Sequence, residues 1–590
     1  MPMHVLGINC AYHESSVALV SEHGIAAAVE EERINRIKHA KPALVGNSDE
    51  LPLGALEQCL RIGQLRLADI GYVAFSFNPP RRLAHNTGLD DPVIEGGWGS
   101  ASGEQLFHDK LLGIPARLRA LGFKGKFVHV DHAIAHAASA FYPSPFAHAA
   151  ILSIDGIGEI ESTTIAVGTV GGANGGIKIL EQIGYPHSLG FLWEKVAMYF
   201  GMSEYDACKV MSLASFGDPA RFQDALRRVV AVRADGFGLA PDFWRFRSDD
   251  FGPLEALFDL PALAAGAAIT SGYMDVAAAL QALTTEILLN LARRAHALTG
   301  ARSLCLAGGV ALNCVANTAL FEQGPFEQIF VQPAANDAGT ALGAALQVLH
   351  GVIGDDGGAA KAAARMEHAY LGPEYGVDEI RACLDECGLV YERPRDLADS
   401  VATLLAEGKV VGWFQGRMEF GPRALGNRSL LADPRDPGMV TRMNRLVKHR
   451  EDHRPFCPSV REEDASDWFE IGRPALSAHF MLMAYPVHPA RRAAIPAVVH
   501  VDGTSRIQLV GRAANPRYHD LLTRFKEKTG VPLLLNTSFN DREPIVCSPR
   551  DAIATFLRTG IDYLALGDFL LCKAQQPQSP QSRHHAADAA

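Results

Sequence analysis

Two histidines one helical turn apart are the strongest sign of chemistry in the chain. His132 and His136 lie in DHAIAHAASAF, and their i, i+4 spacing places both imidazoles on one face of a helix for which Asp131 is the predicted N-cap. Asp155 ends the next predicted strand, and Asp337 follows a later strand where a helix begins. Two imidazoles and two carboxylates suit a divalent cation such as Fe(II), Mn(II) or Zn(II).

A chance pair is the alternative, because 22 histidines in 590 residues produce some pairs at this spacing. The glycines beside Asp155 and Asp337 favour a site, since the backbone of such turns can approach an ion or a phosphate closely. A metalloprotease is disfavoured, because Ala133 follows His132 and the chain has no HExxH motif. The sequence therefore predicts a metal that positions a ligand.

The composition is that of a soluble globular chain of two or three domains. Its 590 residues carry a formal net charge of -11, and 48% of them are hydrophobic. This charge argues against broad nucleic-acid binding but leaves a local basic cleft open. No segment is long and apolar enough to span a bilayer, MPMHVLGINC lacks the features of a signal peptide, and the ten cysteines form no CxxC. We therefore expect a cytoplasmic protein with no membrane partner.

Strands alternate with helical stretches over the first 350 residues or so, as in HVLGIN, SVALVS, FVHVD, AILSID and SLCLAGG. This pattern predicts an α/β fold, and we place the first domain at residues 1–360. After a glycine-rich connection, KVVGWF, VPLLLN and DYLALG predict a second α/β domain over 369–575. The polar tail over 576–590 is expected to be disordered.

Three turns of the first domain favour nucleotide binding. LGINCAYHESSVALV is typical of a strand, a turn and a second strand, and SIDGIGE adds an acid-glycine turn. LAGGVALNCVAN places Gly308 and Gly309 before a helix whose N-terminal amides could face a phosphate. Each turn alone is weak, since glycine turns end strands in every α/β protein. Together the three resemble the duplicated ATPase fold of actin, sugar kinases and Hsp70.

The second domain carries cations among glycines and small hydroxyl residues rather than along a regular helical face. Because arginine offers a bidentate fork to phosphate oxygens, a converging subset would bind polyanions. Surface charges and structural ion pairs are the alternative for about half of the set. The set comprises Arg417, Arg423, Arg428, Lys448, Arg450, Arg454 and Arg506.

Many ordered motifs resemble those of the O-carbamoyltransferases of nodulation and antibiotic biosynthesis. They are GINCAYHESSVAL, EEERINRIKH, HAIAHAASAF, DGIGE, GGVALN, NDAGTALGAA, FGPRALGNRS, KHREDHRPFCPS, HVDGT and NTSFN, and they cover nearly the whole chain. The resemblance implies a duplicated actin- and Hsp70-like first domain, similar to the domain that transfers threonylcarbamoyl groups onto tRNA. It implies a second α/β domain with a twisted sheet like that of threonylcarbamoyl-AMP synthase.

The resemblance also implies a reaction in two steps. In the second domain, carbamoyl phosphate is hydrolysed to carbamate, which attacks the α-phosphorus of ATP to give carbamoyl adenylate and pyrophosphate. In the first domain, a hydroxyl of a natural product attacks the carbamoyl carbon and releases AMP. The expected cofactors are Mg-ATP and a divalent metal, Fe(II) before Mn or Zn, and carbamoyl phosphate is the co-substrate. The metal ligands would be His132, His136, Asp155 and Asp337.

Roles for single residues follow from the same resemblance. His13 would contact or deprotonate the acceptor hydroxyl, with a turn histidine bonded to the backbone as an equal alternative. Lys38 and Arg454 complete the expected catalytic set. Ala207 and Ser212 replace a typical acid and glycine, which leaves the contacts of Lys209 open. The residues expected to bind nucleotide or carbamoyl phosphate are Gly308, Gly309, Asn313, Asn336, Lys209, Arg417, Arg423, Arg428, Lys448, Arg450, Arg506, Asn536 and Ser538.

Two other functions stay open. A tRNA-modifying threonylcarbamoyl transferase would need a basic RNA-facing surface, and a non-catalytic scaffold would not need both the metal set and the cations. The expected partners are small molecules and no nucleic acid, with a homodimer as a further expectation. The acceptor pocket is expected within 78–105 and 237–271, whose neighbouring aromatic residues suit a bulky, partly apolar acceptor or pack in the core. These aromatic residues are Trp98, Phe107, Phe237, Trp244 and Phe246.

Overall fold

A computed structural model describes residues 3–85, 94–171, 175–354, 359–451, 453–473 and 476–577. The chain divides into two compact units between Met366 and Glu367, and residues 476 and 477 also belong to the first unit. Both units combine helices with mixed sheets, which confirms the predicted α/β class. The tail was expected to be disordered over 576–590, and its residues from 578 onward lie outside the described part of the chain.

The first unit contains two five-stranded sheets with the same connectivity. The strands of the first sheet are β1 (Val5–Asn9), β2 (Ser16–Ser21), β3 (Gly24–Glu30), β4 (Tyr72–Phe75) and β5 (Lys126–His129). Their order is β3-β2-β1-β4-β5. β1 to β3 form an antiparallel meander, whereas β4 and β5 add in parallel beside β1. The central strands are apolar and fully buried, as expected of a sheet covered on both faces.

The second sheet repeats this plan. It contains β6 (His148–Ile154), β7 (Glu161–Thr169) and β8 (Gly176–Gly184), and, after a hairpin of β9 (Val230–Arg233) and β10 (Gly236–Leu239), β11 (Ser303–Ala307) and β12 (Gln328–Val331). Its order is β12-β11-β6-β7-β8, again an antiparallel meander followed by two parallel strands. The duplicated fold expected for the first domain is therefore present in the strand topology itself.

Fourteen α-helices connect and cover these sheets in the described part of the first unit. They are α1 (Glu32–Asn35), α2 (Leu53–Gly63), α3 (Pro79–Leu83), α4 (Ala101–Ala120), α5 (His132–Phe141), α6 (Leu189–Tyr199), α7 (Ala207–Ala214), α8 (Gln223–Arg227), α9 (Pro241–Trp244), α10 (Gly252–Phe258), α11 (Ser271–Thr299), α12 (Cys314–Gln323), α13 (Ala338–Gln347) and α14 (Ala359–Ala363).

Glycines let α13 pack closely against both β1 and α5. A Cβ atom on Gly7 of β1 would lie 1.8 Å from the Ala341 carbonyl oxygen of α13. A Cβ atom on Gly343 of α13 would lie 1.7 Å from the Ala135 carbonyl oxygen of α5. Neither position accepts a larger residue without movement of the backbone. The N-terminal residue of α5 is His132, and Asp337 directly precedes α13, so this packing sets where their side chains meet.

The second unit is built on one seven-stranded mixed sheet. Its strands are β13 (Val411–Phe414), β14 (Arg428–Ala432), β15 (Cys457–Arg461), β18 (Gln508–Val510), β19 (Leu533–Ser538), β20 (Tyr563–Leu566) and β21 (Phe569–Cys572), and a separate two-stranded sheet pairs β16 (Ala484–Pro486) with β17 (Thr504–Arg506). The order of the large sheet is β18-β15-β19-β14-β13-β20-β21. The α-helices are α15 (Val377–Glu386), α16 (Leu397–Ala406), α17 (Gly438–Arg442), α18 (Pro516–Thr529) and α19 (Pro549–Arg558). In the described part of the chain, we find no helix with the length and apolar character needed to cross a membrane.

Candidate functional site

The four predicted metal ligands lie together in the first unit. The Nε2 atoms of His132 and His136 are each 3.4 Å from Asp155 Oδ2 and 3.5 Å from Asp337 Oδ1. All four ligand atoms lie within 4.8 Å of one another. Four ligands arranged tetrahedrally about 2.1 Å from a metal would be about 3.4 Å apart. The four cross-distances thus fit a common divalent cation.

Hydrogen bonds orient the ligands toward this point. His132 Nδ1 lies 3.2 Å from the Ser76 carbonyl oxygen, so Nδ1 carries a proton that it donates to this oxygen, and Nε2 faces the carboxylates. The Gly309 amide donates to Asp155 Oδ1 at 3.1 Å and leaves Oδ2 toward the histidines. The Nε2 atoms of both histidines are buried and have no hydrogen-bond partner among the described residues. Buried, unsatisfied imidazole nitrogens that face two carboxylates are the donor set a metal would satisfy.

The electrostatics of the cluster agree with a cation at its centre. Burial would lower the pKa of His132, but Asp337 and Asp155 raise it well above its usual value. Burial would raise the pKa of Asp337, and Asp155 adds to that effect, but the two histidines lower it to about 2. The carboxylates therefore stay ionised, and they demand positive charge between them. Protons on the imidazoles or a divalent cation can supply that charge.

Glu159 fixes the start of the helix that carries the two histidines. Its fully buried carboxylate accepts from the His132 amide at 2.9 and 3.1 Å and from the Asn78 amide at 2.8 Å. Asp131 occupies the N-cap position but makes no capping bond with its side chain. Its carboxylate instead accepts from Asn78 Nδ2 and Arg81. Asp131 is therefore the N-cap residue by position, as predicted, but the carboxylate that accepts from the helix amide is that of Glu159, which is distant in sequence.

The predicted catalytic residues of the first unit lie in different environments. His13 is partly buried, with its ring 5.2 Å from Tyr205 and 6.2 Å from His39 between centroids, and its Nδ1 is 3.9 Å from Glu14. Lys38 is exposed and forms no hydrogen bond or ion pair with any described residue. His13 is thus surrounded by side chains of the first unit, whereas Lys38 points into solvent.

Some predicted nucleotide-binding residues of the first unit have unpaired or turn positions, and the side chains of the others bond to other protein groups. Gly308 has a φ of +85°, and a Cβ atom there would lie 2.2 Å from the Ile154 carbonyl oxygen, so only glycine fits. The buried Asn336 Oδ1 has no hydrogen-bond partner among the described residues. Asn313 caps α12 through the Ala316 amide and bonds Gln281, and Lys209 pairs with Asp206 at 3.0 Å.

The aromatic residues of the expected acceptor segments mostly pack in the core. Phe107, Phe237 and Trp244 are buried. Phe107 and the half-buried Trp98 surround the Arg82 guanidinium, which forms a buried ion pair with Glu104 at 2.7 Å. Phe246 stacks on Trp244. Residues 86–93 of the first expected segment lie outside the described residues.

One face of the large sheet in the second unit carries polar side chains, most of which are buried. Cys457 on β15 lies opposite Asn536 on β19, and Ser429 on β14 lies opposite Ser538, so these side chains share a face. Asn536 Nδ2 donates to Ser459 Oγ at 2.8 Å, whereas its Oδ1 is buried without a described partner. We call this set the polar face; its residues are Ser429, Cys457, Ser459, Gln508, Asn536 and Ser538.

Cations reach the polar face and the loop before it. Lys448 Nζ donates to the carbonyl oxygens of Ser538 and Asn540, at 2.9 Å each. Asn444 holds the loop, since its Oδ1 accepts from Arg450 Nε at 2.7 Å and its Nδ2 donates to the Arg454 carbonyl oxygen. The side chain of Arg454 is partly buried and has no hydrogen-bond partner among the described residues. This arrangement leaves Arg454 available to an anionic ligand.

The remaining predicted arginines differ in their surroundings. Arg506 donates through Nε to Cys457 Sγ at 3.1 Å, and Arg423 also lies close enough to influence that sulfur. Arg428 is fully buried, and its guanidinium donates to the carbonyl oxygens of Gln415, Gly416, Asn427 and Pro373. Arg417 donates to the carbonyl oxygens of Leu371 and Gly372. Both arginines therefore hold segments of backbone through their guanidinium groups.

Comparison with known proteins identifies the family. A model of the carbamoyltransferase N-terminus matches residues 4–346, and a model of the carbamoyltransferase C-terminus matches residues 402–573. The chain belongs to the carbamoyltransferase family. Its activity is accordingly that of a carbamoyltransferase, as the sequence motifs predicted. The cluster of two histidines and two aspartates lies within the N-terminal family domain, and the polar face lies within the C-terminal one.

This carbamoyltransferase is similar to nodulation proteins, to a cephem O-carbamoyltransferase and to proteins without a described function. An uncharacterised protein of Synechocystis is 37% identical over 98% of both chains. The nodulation protein NolNO of Sinorhizobium fredii is 38% identical over 98% of this chain and 81% of its own. The 3'-hydroxymethylcephem-O-carbamoyltransferase of Amycolatopsis lactamdurans is 34% identical over 62% of this chain and 64% of its own. Among solved structures, full-length HypF is 13% identical, with a TM-score of 0.30 over 60% of this chain and 56% of its own.

The sequence motifs of the carbamoyltransferase indicated the candidate metal-binding and anion-binding side chains. They did not indicate the residues that contact and orient these side chains. Glu159 lies in the quoted DGIGE segment and Cys457 in RPFCPS, yet neither residue type signals which group it contacts. The Arg82–Glu104 ion pair was also missed. A buried charge beside aromatic residues, as in PPRRL before Trp98, was the only available signal.

Proposed function

We propose that the chain makes carbamoyl adenylate from carbamoyl phosphate and ATP and transfers the carbamoyl group to a hydroxyl of a small natural product. The observation that supports this most is that each family domain holds its own distinct donor set. The first unit has two histidines and two carboxylates that converge on one point. The second unit has cations around a polar sheet face. Two sites of different chemistry suit two successive reactions.

The first reaction belongs to the second unit. Water cleaves carbamoyl phosphate to carbamate and phosphate, and a carbamate oxygen then attacks the α-phosphorus of ATP, with pyrophosphate as the leaving group. Both reactants are anions, so cations must screen their repulsion. Arg454 and Lys448 would contact phosphate oxygens, and Asn536 Oδ1, which is buried without a partner, would accept from the carbamate or nucleotide amino group. Arg450 lies against Phe456, 4.7 Å from the ring centroid, and would orient the same loop.

The second reaction belongs to the first unit. The acceptor oxygen attacks the carbamoyl carbon, the bond to the adenylate phosphate breaks, and AMP leaves with the electron pair. His13 would take the proton of the hydroxyl, which its partly buried position beside Tyr205 allows. A divalent metal on His132, His136, Asp155 and Asp337 would supply Lewis acidity toward the adenylate phosphate. Asn336, whose side-chain oxygen is buried without a partner beside Asp337, would accept a hydrogen bond from the nucleotide.

Two alanine variants test the assignment of reactions to units. Asp337→Ala should lower carbamoyl transfer by about 100-fold or more but leave pyrophosphate release from ATP and carbamoyl phosphate, whereas Arg454→Ala should do the opposite. Pyrophosphate release is measured without acceptor, and transfer is measured by supplying carbamoyl adenylate made by the wild type. The exposed residues Asp235 and Arg512 provide the controls Asp235→Ala and Arg512→Ala. Loss of both reactions in one variant that still folds would contradict the assignment.

A further inference from the structure

A buried cysteine contacts the cationic side of the polar face. Cys457 is the first residue of β15 and is 5% exposed. Arg506 Nε donates to its sulfur at 3.1 Å. Because Cys457 lies directly opposite Asn536 in the sheet, its side chain shares a face with an amide oxygen that has no partner among the described residues. The cysteine therefore connects Arg506 to the surface where the anionic ligands would arrive.

Three cationic or protonatable groups surround this sulfur. Burial would raise the pKa of the Cys457 thiol, but Arg506, then His500, and then Arg423 lower it to about 6. Arg506 comes from β17, His500 from the loop before it, and Arg423 from the segment whose next residue, Ala424, accepts a hydrogen bond from Asn536 at 3.2 Å. Cysteine flanked by arginine and histidine in this way is a thiolate at neutral pH.

We propose that Cys457 is a positioning residue for the adenylating reaction, acting as an anionic anchor that holds the Arg506 guanidinium at the polar face. A charge-assisted bond at Nε removes rotational freedom from a long side chain before the ligand binds. This role rests on the proposed function, because it assumes that phosphate-bearing ligands bind here.

The ionisation state of Cys457 can be measured without an enzymatic assay. Ultraviolet thiolate absorbance of the wild type minus that of Cys457→Ser, followed from about pH 5 to about pH 9, should show one group titrating near pH 6. Cys383→Ser, at a half-buried cysteine of α15 whose thiol pKa is raised by burial, is the matched control and should leave that step in place. A Cys457 difference signal that appears only above about pH 8 would overturn the inference.

Positioning is tested by comparing two substitutions in the pyrophosphate-release assay. Cys457→Ser keeps a hydrogen-bond acceptor for Arg506, whereas Cys457→Ala removes it. Cys457→Ala should raise the KM for ATP or carbamoyl phosphate by about tenfold with kcat changed by less than about threefold, and Cys457→Ser should recover only part of the loss, because its neutral hydroxyl accepts from Arg506 but carries no charge. Equal kinetics of the wild type and the alanine variant would overturn the positioning role. Absence of pyrophosphate release in the wild type would instead overturn the proposed function, and the titration would still decide the state of Cys457.

Discussion

The two imidazole Nε2 atoms that face Asp155 and Asp337 make a direct prediction about metal content. His136→Ala should lose most of the bound divalent metal, because it removes one of four converging ligands. His129→Ala is the matched control, since His129 lies nearby but bonds the Phe77 carbonyl oxygen and is not part of the cluster. The measurement is elemental analysis of the purified proteins after mild chelation. Equal metal content in the two variants would show that the cluster is a hydrogen-bonded ion network instead.

Single side chains could be predicted from the sequence where local spacing determines their direction. The i, i+4 rule places His132 and His136 on one helical face whatever the rest of the fold does. Lys38 and Arg428 show the limit, because long side chains choose partners that tertiary structure supplies. Lys38 is exposed, and Arg428 is enclosed by backbone carbonyl oxygens. Neither outcome is encoded in the neighbouring residues of their motifs.

At the scale of helices and strands, Gly343 controls how closely α13 approaches α5. Gly343→Ala places a methyl group 1.7 Å from the Ala135 carbonyl oxygen, so the helices must separate, at a cost of about 1–3 kcal/mol in the free energy of unfolding. The separation should also weaken metal affinity, since α5 carries the two histidines and Asp337 directly precedes α13. Gly113→Ala in α4 is the control, because nothing lies within 4 Å of its Cβ position; it should be neutral or stabilise slightly. Thermal unfolding with metal titration checks both variants, and equal metal affinities would contradict the coupling.

Elements were easier to predict than their ends and contacts. SVALVS matches β2 and AILSID overlaps β6, since apolar runs with β-branched residues between turns favour strands. The cap of α5 was predicted from Asp131, the adjacent acid, but Glu159 from the turn between β6 and β7 accepts the His132 amide. A helix N-terminus offers several free amides, and only the folded chain decides which carboxylate reaches them. The close contacts at Gly7 and Gly343 were equally invisible, because a glycine inside a strand or helix does not name its neighbour.

At the scale of the whole molecule, the first unit contains two sheets with the same strand connectivity. The second unit contains a seven-stranded mixed sheet with a different strand order. In the first unit, the duplication brings the ends of β6 and β12 and the start of α5 to one place, so ligands distant in sequence converge. In the second unit, a polar face in the middle of a sheet has a free-energy cost unless ligands or internal bonds satisfy it. The buried thiolate on that face therefore has a consequence for the stability of the folded chain.

Stability should depend on pH through Cys457. Its pKa falls from 9.0 to about 6 on folding, so the stabilisation is complete above pH 9 and is lost as the pH falls through about 6. The free energy of unfolding of the wild type relative to Cys457→Ser should therefore rise by about 1 kcal/mol between pH 5.5 and pH 7 and by about 2 kcal/mol more by pH 8.5. Guanidinium unfolding in the presence of reductant measures the difference at each pH. A difference that stays constant over this range would mean that the folded protein keeps Cys457 protonated and that Arg506 is held by other groups.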